Sequence, residues 1–252
     1  MMVADVGLVA GSVAAAVLVL AAMARWIPQR WRDDGLPSII DQFAGINKTL
    51  FSFILALSLV SATASLNQAG TQVNAEAASL TNLYWASRPL APGQRDRLRE
   101  LTREYTATVI GEEWPAMAEG RTADRAQELY DEMRRTLQDA DKGTARENEF
   151  TRDALVALRA VGDARRARVL SISQEIPPYL WYGLIGSAIL VVLGAAAQIP
   201  RLSVPGALSV GLLALLLSSV LAVLSALNHP FGGGIHVEPD SLRYAMDRFA
   251  VI

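Results

Sequence analysis

The pentapeptide "HVEPD" places His236, Glu238 and Asp240 within five residues, an imidazole and two carboxylates that together suit a divalent metal. Metal centres draw their ligands from more than one short stretch, and the chain has only one other histidine, His229. No second pair of ligands at helical spacing accompanies them. The segment therefore reads as a solvated tail, and no metal or cofactor is expected. Glu112 and Glu113 are a second candidate for acid–base work, but neighbours on a helix point about 100° apart and cannot share a proton. Trp114 and Pro115 follow them, which suggests a helix end with the indole tucked inward. The run Gly232, Gly233 and Gly234 lacks the Lys and Ser/Thr of a phosphate cradle. No nucleophile elbow or zinc-helix motif occurs. The chain has no cysteine, so thiolate nucleophiles, disulfides and cysteine–zinc sites are all absent. An enzyme is the least favoured class.

A different set of residues carries the stronger signal. At steps of three and four, Asn47, Phe51, Ile54, Ser58, Ser61, Ser65, Gln68 and Gln72 fall on one side of a helix. That row is mostly polar and uncharged, while Leu50, Phe53, Leu57 and Val60 occupy other sides. Two readings remain open. Small and hydroxyl side chains are how membrane helices pack against one another. The same residues repeated around an axis would also make a water-facing pore wall.

The elements that must position this row follow from charge segregation. The protein has 252 residues, 52% of them hydrophobic, and a mean hydropathy of +0.26. Of its 48 Asp, Glu, Lys and Arg residues, 34 lie between 76 and 175. The windows 6–24, 49–75, 176–200 and 202–237 contain none. A spanning helix needs roughly 20 mainly apolar residues, so four spans are expected, at about 6–24, 43–66, 177–197 and 206–227. Asp5 and the lack of a preceding basic residue argue that the first is a retained helix, although small residues in "AAMARW" leave a cleaved signal as the alternative. Lys48 lies near the start of the second span and can snorkel to the interface. That helix has no interrupting proline and is expected to continue as a stalk toward Pro89.

The intervening segment, 67–176, reads as about three helices. Their apolar faces are Leu98, Leu101, Tyr105, Val109 and Ile110; Ala126, Leu129, Met133 and Leu137, after a Thr122 N-cap; and Phe150, Leu155, Leu158, Val161 and Val169. The fold class is an all-α membrane protein: two hairpins of spans, a helical domain inserted between spans 2 and 3, and a post-membrane turn and tail at 229–252. The spans carry no buried ionisable residues and no inverted repeat, which disfavours a coupled transporter. A net charge of −2 gives no case for nucleic acid. The positive-inside count is close to a tie, so orientation is not fixed by charge.

The order of several short strings carries a resemblance. "NAEAASLTNLYW" at 74–85 is followed by "REYTATVIGEEWP" at 103–115, "RRARVLS" at 165–171 and "LNHPFGGGIHVEP" at 227–239. Together they resemble the bacterial bestrophin-like domain family over nearly the whole chain. Glu76, Tyr84, Tyr105, Glu113, Trp114, Arg168, Pro230, Phe231, Gly232 and Val237 match its pattern, as structural residues. One departure is Asn228, where the family usually has an aspartate. The resemblance implies that proline stops the last span, Phe231 packs back and the glycines let the chain run along the helical domain.

Through its distant link to bestrophin anion channels, the resemblance also implies an activity. That would be a homo-oligomeric, anion-permeable channel, pentameric in the manner of bestrophins, in a bacterial inner membrane, with a cytoplasmic helical domain. The second span would line its neck through Asn47, Phe51, Ile54, Ser58, Ser61 and Ser65. No calcium cluster matches. The alternative is a non-conducting membrane-anchored scaffold or sensor that binds a protein partner.

Overall fold

A computed structural model describes residues 36–139, 145–173, 176–199, 203–232 and 234–251, together with Gly11, Ala14 and Leu18. The expected first span at 6–24 lies outside the described residues apart from those three, which are helical. Among the described residues the chain is helical, without strands. The helices are α1 (Leu36–Ala86), α2 (Pro92–Thr108), α3 (Trp114–Ala118), α4 (Asp124–Asp139), α5 (Ala145–Leu170), α6 (Pro178–Ala197), α7 (Val204–Leu227) and α8 (Asp240–Phe249). Three of them, α1 from Asp41 onward, α6 and α7, are long and apolar enough to cross a membrane. The chain divides into two compact units: 1–63 with 176–228, and 64–175 with 229–252.

In the first unit, α6 and α7 pack through Ala196, Val210 and Ala214. Small residues allow that close approach, since apolar attraction alone does not join helices in lipid. Gly194 of α6 sits so near α1 that an added β-carbon would stand 3.2 Å from that of Ala44. The outer sides carry exposed Leu50, Phe53, Val60, Leu190, Leu208 and Leu216, a distribution suited to lipid rather than water. At the end of α7, Asn228 Oδ1 accepts the Ile176 amide at 2.7 Å. A carboxamide oxygen is sufficient for that bond, so the departure from the family's aspartate leaves the acceptor in place.

α1 has 51 residues, about 75 Å at 1.5 Å per residue. That exceeds a single hydrocarbon core of about 30 Å, as the uninterrupted sequence predicts. Its membrane half belongs to the first unit and its C-terminal half to the second.

The second unit is built on that C-terminal half. Ala69, Val73, Ala77, Leu80, Leu83 and Tyr84 of α1 are buried with Leu98, Leu101 and Tyr105 of α2, the predicted α4 face, and Leu158 and Val161 of α5. Two expectations are corrected. The helix does not end at Trp114–Pro115; it continues to Ala118 through a π turn at Val109–Glu113, in which the Trp114 amide bonds back to the Val109 carbonyl. Proline lacks an N–H and its ring crowds the carbonyl four residues back, so a widened turn accommodates Pro115 without a break. Trp114 is tucked inward as expected. α4 begins at Asp124, not directly after Thr122, and Asp124 places a carboxylate in its first turn.

The third correction concerns the tail. Residues 240–249 form α8, whose Leu242, Ala245 and Phe249 are buried; the Phe249 ring stacks on Tyr84 at 4.7 Å. The tail is therefore core, and only its outer side is solvated. The turn before it behaves as the resemblance implies. Phe231 meets Trp114 edge-on at 5.5 Å, and the Val237 amide returns to the Pro230 carbonyl at 2.8 Å.

Gly232 is fixed by close approach, because a β-carbon there would lie 2.5 Å from the Ala118 carbonyl oxygen. Gly232→Ala should cost about 1–3 kcal/mol, read by thermal unfolding of the solubilised protein. Gly93→Ala, where a β-carbon meets nothing within 4 Å, should leave the midpoint near wild type.

Candidate functional site

Charged residues as far as 92 positions apart in the sequence meet in the interior of the second unit. Glu76 comes from α1, Glu113 from the end of the π turn, and Arg165 and Arg168 from α5. Glu76, Glu113 and Arg168 have no exposed side-chain surface, and Arg165 is nearly buried. Arg168 presents its fork to Glu76, with Nε donating to Oε2 at 2.5 Å and Nη2 to Oε1 at 3.1 Å. The same Nη2 donates to Glu113 Oε2 at 2.6 Å. Glu113 Oε1 then accepts Arg165 Nη2 at 2.6 Å, and Arg165 Nη1 donates to Gln127 Oε1 at 2.6 Å. Tyr105 donates its hydroxyl to Glu76 Oε1 at 2.6 Å. Met117 Sδ and the Trp114 ring close the remaining side of Arg168.

Two buried cations and two buried carboxylates sum to zero, which is what permits their burial. For the Arg168 guanidinium, desolvation pulls the pKa down, but the charge and hydrogen bonds of Glu76, with Tyr105 and Glu113, outweigh it and hold it above the ordinary arginine value. Burial, and then the Glu76 charge, push the Tyr105 phenol well above the usual tyrosine value. It stays protonated as a donor. Held in this way, the two carboxylates have their oxygens taken up by hydrogen bonds and offer no open coordination position. The arrangement orders the helices and is not suited to acid–base chemistry. Among the described residues no three His, Asp or Glu side chains gather as metal ligands. Glu238 and Asp240 instead both lie beside Arg243, and they are exposed.

The motif residues Glu76, Tyr105, Glu113, Trp114, Arg168, Pro230 and Phe231 are all buried in this unit, with Gly232 against α3. Sequence reading missed Arg165, Gln127 and Met117 as members. Arg165 stands three residues before Arg168, on the same side of α5, and that spacing could have identified it.

The second-span row is divided by the structure. Asn47 Nδ2 donates to the Ser187 carbonyl at 2.9 Å, and Ser187 Oγ donates to Asn47 Oδ1 at 2.8 Å. Phe51 and Ser58 are buried inside the chain's own first unit, at 7% and 1% exposure; Ile54 and Ser65 are half-buried and Ser61 is exposed. Ser58 Oγ has no hydrogen-bond partner among the described residues. A different polar side of α1 is uncovered. Gly45, Thr49, Ser52, Ala56 and Thr63 are all exposed and fall within about 60° of one another around the axis. Thr49, Ser52 and Thr63 return their hydroxyls to the carbonyls of Gly45, Lys48 and Leu59.

One family model, described as the Bestrophin-like domain, matches residues 10–242. No curated protein and no solved structure matches the chain.

Removing one member of a buried charge pair strands the other. Arg168→Met should cost about 3–5 kcal/mol, measured as the shift in denaturant midpoint followed by circular dichroism. Arg168→Lys should recover little of it, since an ammonium cannot reproduce the fork. Tyr105 gives a pH signature. Its folded pKa is raised, so stability is fully present below the usual tyrosine value of about 10 and is lost as pH rises through the folded value. Tyr105→Phe should remove that alkaline slope while costing about 1–3 kcal/mol at neutral pH through the lost hydrogen bond to Glu76 Oε1, which then keeps only Arg168 Nη2. A Tyr105→Phe slope above pH 10 equal to wild type would count against this assignment.

Proposed function

Because the chain belongs to the bestrophin-like domain family, we propose that it is a membrane protein that assembles from identical copies into an anion-permeable channel, with α1 beside the conducting path. The single observation that carries this reading is the composition of α1 in its membrane half. Lys48 is the sole charged residue between Asp41 and Glu76, and its side chain is exposed. It adjoins the uncovered stripe of Gly45, Thr49, Ser52, Ala56 and Thr63. Repeated around an axis, that stripe supplies hydroxyls and close helix contacts, and Lys48 supplies a positive ring at one end. Rings of this kind set ion sign in pores. The path is thus assigned to this stripe, with Ser61 the open member of the row around Asn47, Phe51, Ile54, Ser58 and Ser65.

A second reading, a non-conducting membrane scaffold, is favoured by one observation: the Asn47–Ser187 pair and the burial of Ser58 use that row for packing within one chain. In this reading the helices of the second unit bind a protein partner.

Flux from proteoliposomes separates the two. With protein inserted and a chloride gradient imposed, the channel reading expects flux above empty liposomes, and Lys48→Gln should shift the reversal potential toward lower anion preference. Ser52→Leu should reduce conductance. The scaffold reading expects wild type to be indistinguishable from empty liposomes.

A further inference from the structure

Away from the ionic cluster, α4 and α5 enclose a groove of about 330 Å³ lined by Tyr130, Arg134 and Gln138 on one side and by Leu155, Leu158, Arg159, Asp163 and Arg166 on the other. The spacing explains it. Tyr130, Arg134 and Gln138 recur every four residues on α4, and Leu155, Arg159, Asp163 and Arg166 recur at four and three on α5, so each helix turns one ridge to the groove. Its floor is made possible by Gly162, where a β-carbon would stand 2.3 Å from the Tyr130 hydroxyl oxygen. The ring of Tyr130 can therefore lie directly against α5, with Leu158 beneath.

The charge on the rim is unbalanced. Arg166 is tied to Asp163. Among the described residues no carboxylate pairs with Arg134 or Arg159, although Arg97 and Arg125, elsewhere on the same unit, each bridge two. The lining thus holds three guanidiniums and one carboxylate, two of the guanidiniums uncommitted. A guanidinium fork fits the oxygens of carboxylate or phosphate. One fork satisfies a carboxylate; two uncommitted forks on facing helices suit a group with three oxygens and nearly two charges. The volume lies at the small end of the range for small-molecule sites, about 300–1,000 Å³, and leaves room beside the charged group for an apolar remainder.

We propose that the α4–α5 groove binds a small organic phosphate, its phosphate between Arg134 and Arg159 and its apolar part over Tyr130 and Leu155. The site belongs to the second unit alone and does not depend on whether the protein conducts. A soluble metabolite and a lipid headgroup are two sources of this one chemistry.

The test is calorimetric titration of the solubilised full-length protein with phenyl phosphate and, separately, with inorganic phosphate. Phenyl phosphate should bind saturably and several-fold more tightly than inorganic phosphate. Arg134→Gln and Arg159→Gln should each weaken it about tenfold or more. Arg152→Gln, on α5 but outside the groove, should bind as wild type does, and unchanged melting of each variant establishes that it is folded. Repeating the titration in nanodiscs with and without phosphatidic acid identifies the source: competition assigns the site to a lipid headgroup, and its absence assigns it to a soluble phosphate. No saturable binding up to about 10 mM, or equal affinity in the Arg134 and Arg159 variants, overturns the proposal.

Discussion

The guanidinium of Arg168 is the interaction on which the second unit depends. It holds Glu76 by two donors and Glu113 by one of the same nitrogens, with no exposed surface on any of the three. An unpaired charge in that position would be prohibitively costly to bury, so the cluster forms complete or the helices do not close. Ninety-two residues separate Arg168 from Glu76 and fifty-five separate it from Glu113. One side chain therefore sets the register of α1, the π turn and α5 together. The apolar core supplies the driving force, but apolar contacts tolerate sliding far better than a bidentate fork does.

The first unit has a different economy. Its helices cannot rely on apolar attraction, and they use small residues and a few hydrogen bonds instead. The pair formed by Asn47 and Ser187 joins α1 to α6 with both groups satisfied. What the described residues leave uncovered is as informative: a lipid-suited apolar side, and an exposed stripe of glycine, alanine and hydroxyl residues. The hydroxyls of Thr49, Ser52 and Thr63 bond to their own helix, so the stripe can meet lipid, water or another helix without an unsatisfied donor.

Much of this was legible in the sequence, for identifiable reasons. Long charge-free windows gave three of the four expected membrane helices, the first lying outside the described residues, and period-3.6 apolar faces gave α2, α4 and α5, with the α4 face fully buried and Ile110, Phe150, Leu155 and Val169 only half-buried. The unbroken α1 followed from the absence of proline between Pro37, in its first turn, and Pro89. Motif order brought Glu76, Tyr105, Glu113, Trp114 and Arg168 forward, but only the fold reveals that they touch, since pairing across ninety residues has no local signature. α8 was hidden because Leu242, Ala245 and Phe249 span barely two turns beside conspicuous metal-like residues. The polar row was read correctly as one helical side, but composition cannot say whether such a side faces its own chain. Burial of Phe51 and Ser58 supplies that answer for the single chain.

The π turn at Val109–Glu113 carries one residue more than an α-helix needs. Such an extra residue resembles a dislocation in a crystal: it could in principle migrate along the helix, rotating every side chain it passes by about 100°. Pro115 forbids migration in one direction, because it has no amide hydrogen to exchange into a new bonding pattern. The defect is pinned by covalent chemistry beside the carboxylate it orients. Glu113 therefore points inward regardless of how the surrounding side chains breathe.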